Sequence, residues 1–294
     1  MSAGAPGGHG ASAVGVIGGG IMGSGIAEVA ARSGCDVVVR EVDDAACAAV
    51  RGRIEASLER AVAKGRASAA ERDAVLERIS YAVDLEALAE RDLVIEAATE
   101  NLAAKTEIFR ALDRVTAGTD CVLASNTSSF PIMRLGAVTT RPERVVGLHF
   151  FNPVPVLPLV ELIPSLATAP GILERARVFA AEKLGKQVVL GKDRAGFVVN
   201  ALLVPYLLAA VGMVDSGVAT AGDVDVAMVA GCAHPMGPLA LADLIGLDTL
   251  LAIAESLHAE YRQPQFVPPP LLLRLVEAGR LGRKSGQGFH LYAS

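Results

Sequence analysis

The sequence AVGVIGGGIMG, at residues 13–23, leads a short β-branched segment into a G-x-G-x-x-G turn. Residues 24–32 are helical in composition, and Gly34 follows where such a helix would end. Residues 36–41, DVVVRE, have the composition of a second strand. The order of strand, glycine turn, helix and strand predicts a βαβ unit that binds a dinucleotide, since the start of the helix offers N–H groups to a pyrophosphate.

The glycines and a following acid refine this prediction. Gly18 permits the tight turn, Gly20 lets the backbone approach a pyrophosphate, and Gly23 lets helix and strand pack closely. Glu41 ends the second strand, where its carboxylate can accept hydrogen bonds from an adenosine ribose. A carboxylate repels a ribose 2′-phosphate, so the sequence favours NAD, while neighbouring Arg40 leaves NADP open. Glycines often serve turns only, and it is the whole strand, helix and acid pattern that favours dinucleotide binding.

Further strand patterns follow up to residue 190, at spacings that leave room for helices between them. The strand-like segments are residues 93–97, 121–124, 145–150, 159–163 and 187–190. Strands separated in this way predict a Rossmann-type, doubly wound, mostly parallel sheet.

Two helices are inserted as a hairpin before residue 93. The first has an apolar stripe of Ile54, Leu58 and Val62, and Ser68 with Glu71 forms a capping box that starts the second.

After residue 190 the strand patterns stop. Helical patterns cover residues 195–216, 221–230, 239–257 and 271–278. The predicted fold class is therefore α/β followed by an all-helical C-terminal domain. We expect a disordered tail at residues 1–12, a dinucleotide-binding domain at 13–192 and a helical substrate-binding and dimerisation domain at 193–294.

Residues 195–214 are uncharged over a length that could span a membrane. Asn200, Pro205 and Tyr206 dilute the hydrophobicity of this segment, so we interpret it as a helix buried in a domain core or subunit interface. For the same reason we expect no membrane association. The helical domain is small for the apolar surface it has, which predicts a homodimer.

Composition limits the classes of function. The chain has 294 residues and is 52% hydrophobic, which suits two globular domains. Its net charge of -5 argues against a general nucleic-acid binder. Its four cysteines, Cys35, Cys47, Cys121 and Cys232, lack the spacing of a disulfide framework or a zinc site. We predict no metal, and without an export signal we expect a reducing cytoplasm.

Residues 147–161, GLHFFNPVPVLPLVE, place His149 and Glu161 at the two ends of an apolar, proline-rich passage. An imidazole titrates near neutral pH, and a carboxylate bonded to it can select its tautomer, so the two could form a proton-transfer pair. A core histidine and a surface glutamate remain the alternative. The polar runs EAATENL (96–102) and SNTSS (125–129) also follow strands, at the edge where ligands bind such sheets, although similar residues are common in turns.

A basic helix face raises a second possibility. Ser57 and Lys64 are seven residues apart and therefore share a face, with Arg51, Arg53, Arg60 and Arg66 nearby. Such a face could bind a phosphorylated ligand. The pattern alone favours an ordinary solvated helix face.

Together these motifs give the chain a specific resemblance. It resembles the short-chain 3-hydroxyacyl-CoA dehydrogenases, and among them the bacterial 3-hydroxybutyryl-CoA dehydrogenases, from residue 14 to residue 292. The motifs, in the family's order, are GGGIMG, IEAATENLAAK, ASNTSS, GLHFFNPVPVLPLVE, DRAGFVVNALLVPYL, HPMGPLALADLIGLD and GRKSGQGF.

The resemblance implies a role for each matched residue. The catalytic residues would be Ser128, His149, Glu161 and Asn200, with Ser128 and Asn200 also binding substrate. The NAD contacts would be Gly18, Gly19, Gly20, Ile21, Met22, Gly23, Glu41, Glu100, Lys105 and Lys284. Coenzyme A contacts would fall on Ser57 and Lys64, which reverses the interpretation of that helix face. Two residues depart from the family pattern: Glu41 replaces the usual aspartate, and His290 the usual aromatic residue.

The implied reaction is the reversible oxidation of a 3-hydroxyacyl-CoA, foremost 3-hydroxybutyryl-CoA, by NAD to the 3-ketoacyl-CoA, with His149 as general base and acid. Alternatives are another thioester (longer-chain, 3-hydroxyadipyl-CoA or carrier-protein-bound), a free 3-hydroxy acid, or a non-catalytic NAD-binding protein.

Overall fold

A computed structural model describes residues 12–292. The predicted tail therefore lies outside the described residues except for Ser12, whose backbone N–H donates to Asp92 at 2.9 Å. The chain forms two compact units, the first ending at Arg194 and the second beginning at Ala195. Asp193, the first residue of the predicted second domain, is bonded within the first unit: its carboxylate accepts hydrogen bonds from the backbone N–H groups of Ile132 and Met133, at 2.6 and 2.8 Å.

The first unit is built on an eight-stranded sheet. The strands are β1 (Ala13–Ile17), β2 (Asp36–Arg40), β3 (Ile79–Ala82), β4 (Leu93–Glu96), β5 (Val122–Ser125), β6 (Val145–Phe150), β7 (Leu159–Pro164) and β8 (Gln187–Leu190). Their order is β3-β2-β1-β4-β5-β6-β7-β8, and all neighbours are parallel except β6 and β7. The predicted doubly wound, mostly parallel sheet is confirmed.

Helices accompany this sheet along the chain. They are α1 (Ile21–Arg32), α2 (Asp44–Ala63), α3 (Ala69–Glu77), α4 (Leu102–Val115), α5 (Ile132–Gly136) and α6 (Pro170–Val178), with a π-helical turn at Phe179–Lys183 and 3-10 turns at Leu85–Leu88 and Pro142–Arg144. The central strands are buried on both faces, as in β4 (LVIE) and β6 (VVGLHF), so they appear in the sequence as continuous apolar runs.

The inserted hairpin is α2 and α3, and its capping box is present. The Ser68 hydroxyl accepts from the Glu71 N–H, and the Glu71 carboxylate accepts from the Ser68 N–H at 2.7 Å. Ile54 and Leu58 of the apolar stripe are buried, as the spacing predicts.

Strand β3 is absent from the sequence prediction. It has four residues, ISYA, of which only Ile79 is buried, so it has neither the apolar run of a central strand nor a clear alternation. Its position is set by parallel pairing with β2, where Ile79 lies opposite Val37.

The second unit is helical. Its helices are α7 (Val199–Asp215), α8 (Ala221–Cys232), α9 (Pro238–Ile245), α10 (Leu247–Tyr261) and α11 (Pro270–Glu277), with 3-10 turns at Pro264–Phe266 and Arg283–Ser285. The helical pattern at residues 239–257 forms two helices, because Gly246 adopts a φ of 99° and divides α9 from α10.

Helix α7 forms the centre of this unit. Val204, Leu207 and Val211 are buried in its core, whereas Leu202 is 74% exposed on another side. Among the described residues, no helix is both long enough and apolar enough to cross a membrane.

Candidate active site

The glycine turn lies at the carboxyl end of β1. Gly18 has a φ of 82°, and a Cβ on it would lie 2.7 Å from the Cα of Ala98. A Cβ on Gly23 would lie 1.7 Å from the Gly18 carbonyl oxygen, so the first turn of α1 requires a glycine there. Gly20 precedes α1 and has open space around its missing Cβ. A turn that is tightly packed on one side and open at the start of a helix suits a pyrophosphate.

The second strand brings Glu41 to this turn. The Gly19 N–H donates to Glu41 Oε1 at 2.6 Å, and the Gly19 carbonyl accepts from Arg53 Nη1 of α2 at 3.2 Å. Both polar groups of Gly19 are thus held by side chains. The contact from Arg53 was not predicted, since one arginine among several on a helix face has no distinguishing signal.

His149 and Glu161 are brought together by the antiparallel pairing of β6 and β7. The two residues lie directly opposite each other in the register, and His149 Nδ1 lies 2.7 Å from Glu161 Oε2. His149 is 6% exposed and Glu161 is fully buried. The ring of Phe151 packs against the imidazole with its centroid 4.6 Å away. A buried imidazole bonded to a carboxylate has the orientation and charge compensation that proton transfer requires.

The polar turn after β5 lies beside the end of β6. Asn126 Oδ1 accepts from the Phe150 N–H at 2.8 Å, which joins this turn to the strand that contains His149. Ser128 follows two residues later. Its hydroxyl is 3.5 Å from Glu100 Oε1, at the outer limit of a hydrogen bond, and its backbone N–H donates to the same oxygen at 3.1 Å.

Glu100 organises that turn. Its Oε1 also accepts from Thr127 Oγ1 at 2.6 Å and from Ser129 Oγ at 2.7 Å. Burial raises the pKa of Glu100, but the Lys105 ammonium and the hydrogen bonds from Thr127 and Ser129 outweigh that effect, so its pKa lies below the usual value. The carboxylate is therefore charged at neutral pH.

Lys105 is paired inside the protein. It is 1% exposed, and its ammonium lies 2.7 Å from Oε1 of the fully buried Glu96 and 3.2 Å from Glu100 Oε2. Glu96 begins the polar run EAATENL, but no role of its own was predicted for it. Its signal is an acid that ends an otherwise apolar strand, LVIE, because such a group requires a partner when buried.

A cavity of about 490 Å³ adjoins the glycine turn. Ser57, Arg53 and Arg60 of α2 line one side of it, and Asn152 lines another. Lys64 is exposed at the C-terminal end of α2 and is not among the lining residues, so the predicted Ser57 and Lys64 pair is divided between cavity and surface.

Two predicted site residues belong to the second unit. Asn200 is 9% exposed in the first turn of α7. Lys284 lies in a 3-10 turn and pairs with Asp248 at 2.5 and 2.7 Å. Burial raises the pKa of Asp248, but the Lys284 ammonium and hydrogen bonds from backbone N–H groups together outweigh it, so this pKa is below its usual value. Within residues 12–292, no group of three or more His, Cys, Asp or Glu side chains is arranged to hold a metal ion.

Comparisons with known proteins decide the family. The models of the NAD-binding domain and of the C-terminal domain of 3-hydroxyacyl-CoA dehydrogenase match residues 13–194 and 196–292. The chain belongs to the 3-hydroxyacyl-CoA dehydrogenase family. A 3-hydroxybutyryl-CoA dehydrogenase of Mycobacterium tuberculosis is 58% identical to this dehydrogenase over 279 residues, covering 95% of this chain and 98% of the relative.

Solved structures of other proteins are similar to this chain over nearly its whole length. The crystal structure of M. tuberculosis FadB2 has a TM-score of 0.96 at 57% identity, covering 97% of this chain and all of the other. The (S)-3-hydroxybutyryl-CoA dehydrogenase PaaH1 of Ralstonia eutropha has a TM-score of 0.92 at 41% identity with the same coverage. The resemblance inferred from the motifs is confirmed, and so are an oxidoreductase of this family and NAD as its cofactor.

Proposed function

We propose that the protein reversibly oxidises a 3-hydroxyacyl-CoA to the 3-ketoacyl-CoA with NAD. The observation that supports this most directly is the buried His149 and Glu161 pair, which lies in an NAD-binding domain of the 3-hydroxyacyl-CoA dehydrogenase family. NAD supplies the hydride acceptor when bound. The remaining chemistry is proton transfer and orientation by side chains of this chain.

His149 is the proposed general base in oxidation and general acid in reduction. Its Nδ1 bonds to Glu161 at 2.7 Å, so Nδ1 donates its proton to the carboxylate in the neutral ring and Nε2 is the nitrogen that exchanges a proton with the substrate hydroxyl. Glu161 orients the ring and stabilises the imidazolium that forms when the proton arrives. Because Glu161 is fully buried, water screens this charge pair little.

Ser128 and Asn200 are the proposed hydrogen-bond donors to the substrate oxygens. The loosely held Ser128 hydroxyl can reorient towards a ligand, whereas its backbone is anchored by Glu100. Asn200 has a side-chain amide that can donate to a carbonyl oxygen. Such donors hold the reacting carbon in position and stabilise charge that develops on oxygen.

For the cofactor, we propose contacts with the backbone of residues 18–23 and with the carboxylates of Glu41 and Glu100. Glu41 also supports NAD over NADP, since its carboxylate lies at the turn and would repel a 2′-phosphate. Arg40 does not oppose this, because its Nε donates to the Val83 carbonyl at 2.8 Å. Lys284 is retained as a proposed cofactor contact from the second unit.

For coenzyme A, we propose binding along α2. Ser57, Arg53 and Arg60 line the cavity of about 490 Å³, and two guanidinium groups suit a phosphorylated ligand. Lys64 would add a further cation at the exposed end of the same helix. A C4 acyl group is the proposed substrate, because the relatives from M. tuberculosis and R. eutropha are named for 3-hydroxybutyryl-CoA.

We further propose a homodimer that works in the cytoplasm, where NAD and coenzyme A are both available. The dimer is supported by exposed apolar side chains on two helices of the second unit: Leu202 of α7 is 74% exposed and Val226 of α8 is 65% exposed.

One steady-state panel tests the reaction. The wild type should oxidise NADH with acetoacetyl-CoA faster than with the C8 and C16 3-ketoacyl-CoAs or with free acetoacetate, and NADH should be preferred to NADPH. His149→Ala should lower kcat by about a hundredfold or more while NADH still binds, the contribution typical of general acid–base catalysis.

His258→Ala is the matched control, because His258 lies in α10 of the second unit and outside the proposed site. Turnover of free acetoacetate but not of its thioester would contradict the coenzyme A assignment. Near-normal kcat in His149→Ala would contradict the mechanism.

A further inference from the structure

The proton transfer proposed above gives no step to one buried charged pair. Lys105 and Glu96 are 1% and 0% exposed, and their charged atoms are 2.7 Å apart. Removing two charges from water is unfavourable, and replacement by apolar side chains is often neutral or stabilising. A buried ion pair beside a proposed active site therefore calls for an explanation other than stability.

Glu96 is held on several sides. Its Oε1 accepts from the Ala98 N–H at 2.8 Å as well as from Lys105, and its Oε2 accepts from Ser125 Oγ at 2.7 Å. The ends of β4 and β5 thus share one carboxylate. This arrangement gives Lys105, which comes from α4, a rigid attachment point between the two strands.

From that point Lys105 reaches a second carboxylate. Its ammonium lies 3.2 Å from Glu100 Oε2 and 3.4 Å from the Ala98 carbonyl. Lys105 therefore joins the buried Glu96 to Glu100, whose side chain is 39% exposed.

The other oxygen of Glu100 holds the turn after β5. It accepts the backbone N–H groups of Ser128 and Ser129 at 3.1 and 3.2 Å, together with the hydroxyls of Thr127 and Ser129. Several donors converge on this one oxygen, so a movement of Glu100 would move the whole turn. Ser128 would lose its backbone anchor as a result.

We propose that Lys105 is a positioning residue: anchored by buried Glu96, it holds Glu100 in place and thereby the turn that presents Ser128 to the substrate. The inference rests on the proposed function in so far as Ser128 binds the substrate. It assigns Lys105 a role besides the direct NAD contact that the resemblance implies.

The rival explanation is that Lys105 only neutralises Glu96. The two explanations predict different behaviour for a double variant. Lys105→Met alone leaves Glu96 buried and unpaired, which destabilises the fold whichever explanation holds. Glu96→Gln combined with Lys105→Met removes both charges and should restore the Tm to near the wild-type value, yet it leaves Glu100 without its ammonium.

We therefore expect the double variant to fold but to turn over acetoacetyl-CoA at least tenfold more slowly. Hydrogen exchange followed by mass spectrometry should show faster exchange, by about tenfold, at the amides of Ser128 and Ser129. Lys183→Met, a partly exposed lysine of the π-helical turn, is the matched control and should behave as wild type.

A pH profile adds a readout that a purely structural role would not change. Lys105 helps to keep the pKa of Glu100 below its usual value, so without Lys105 Glu100 takes up a proton at higher pH. A depressed carboxyl pKa contributes stability that is lost as pH falls through it, and the turn should therefore loosen on acidification at a higher pH in the double variant than in the wild type. The acidic limb of kcat should move in the same direction.

Wild-type kcat and wild-type exchange in the double variant would overturn the inference and leave Lys105 as a counter-ion of Glu96. Unchanged kcat with a KM for NADH raised more than tenfold would also overturn it, in favour of direct cofactor contact alone. If the wild type itself shows no turnover, the proposed function fails, but the exchange of Ser128 and Ser129 still tests the positioning role.

Discussion

Replacing Glu161 by glutamine tests the central pair most directly. The side chain keeps its length, and the β6 and β7 register continues to place it opposite His149. A glutamine oxygen can still accept the Nδ1 proton over the 2.7 Å separation, so the substitution removes the charge while retaining a hydrogen bond. The effect on kcat should therefore measure how much the negative charge stabilises the imidazolium.

The structure bounds the size of this effect. A hydrogen bond to a charged group contributes about 1.5–3 kcal/mol and a neutral one about 0.5–1.5 kcal/mol, so the smallest expected loss is about 1–2 kcal/mol. Two unit charges about 4 Å apart attract by about 4 kcal/mol at an effective dielectric constant of about 20, which sets the upper bound. Since each 1.36 kcal/mol is a factor of ten, kcat should fall by about tenfold to about a thousandfold.

The assay is steady-state reduction of acetoacetyl-CoA by NADH across a range of pH. Reduction needs the charged ring as proton donor, so kcat for reduction should fall in Glu161→Gln. Glu182→Gln, with a side chain 62% exposed, is the matched control and should leave kcat and Tm unchanged. A kcat for Glu161→Gln within about twofold of wild type would refute the role of the charge.

Two further predictions concern packing and assembly. Gly23→Ala should destabilise the protein by about 1–3 kcal/mol or more and weaken NADH binding, because the new Cβ would lie 1.7 Å from the Gly18 carbonyl oxygen. Gly171→Ala, in open space within α6, should instead raise the stability by about 0.5–1 kcal/mol. Thermal unfolding measures the stability of both variants, and titration with NADH measures their cofactor binding. Light scattering of the wild type should give a mass of about twice the chain mass of 30.3 kDa. Leu202→Glu should lower the measured mass towards that of the monomer, whereas Leu166→Glu, at an exposed site of the first unit, should leave it unchanged. A monomeric wild type would contradict the proposed dimer.

Features that depend on neighbours in the chain were predictable. The capping box needs only Ser68 and Glu71 three residues apart, and the glycine turn needs a strand before it and a helix after it. Continuous apolar runs such as LVIE identify buried parallel strands without knowledge of their partners. The family resemblance rests on several such local motifs in a particular order.

Features that depend on partners distant in sequence could not be predicted from the sequence. Strand β3 forms by parallel pairing with the edge of β2, and the sequence ISYA has no pattern that predicts a strand. The break at Gly246 looks in the sequence like one glycine within a helical pattern, a residue that helices tolerate at modest cost.

The active-site pair shows the same division. By itself the sequence determined that His149 and Glu161 were candidates for proton transfer, because their chemistry follows from residue type. Only the tertiary structure decided that they touch, since the antiparallel return of β7 places residue 161 opposite residue 149. The buried contact of Lys105 with Glu96 belongs to the same class, because a charge in the core depends on what the fold brings beside it.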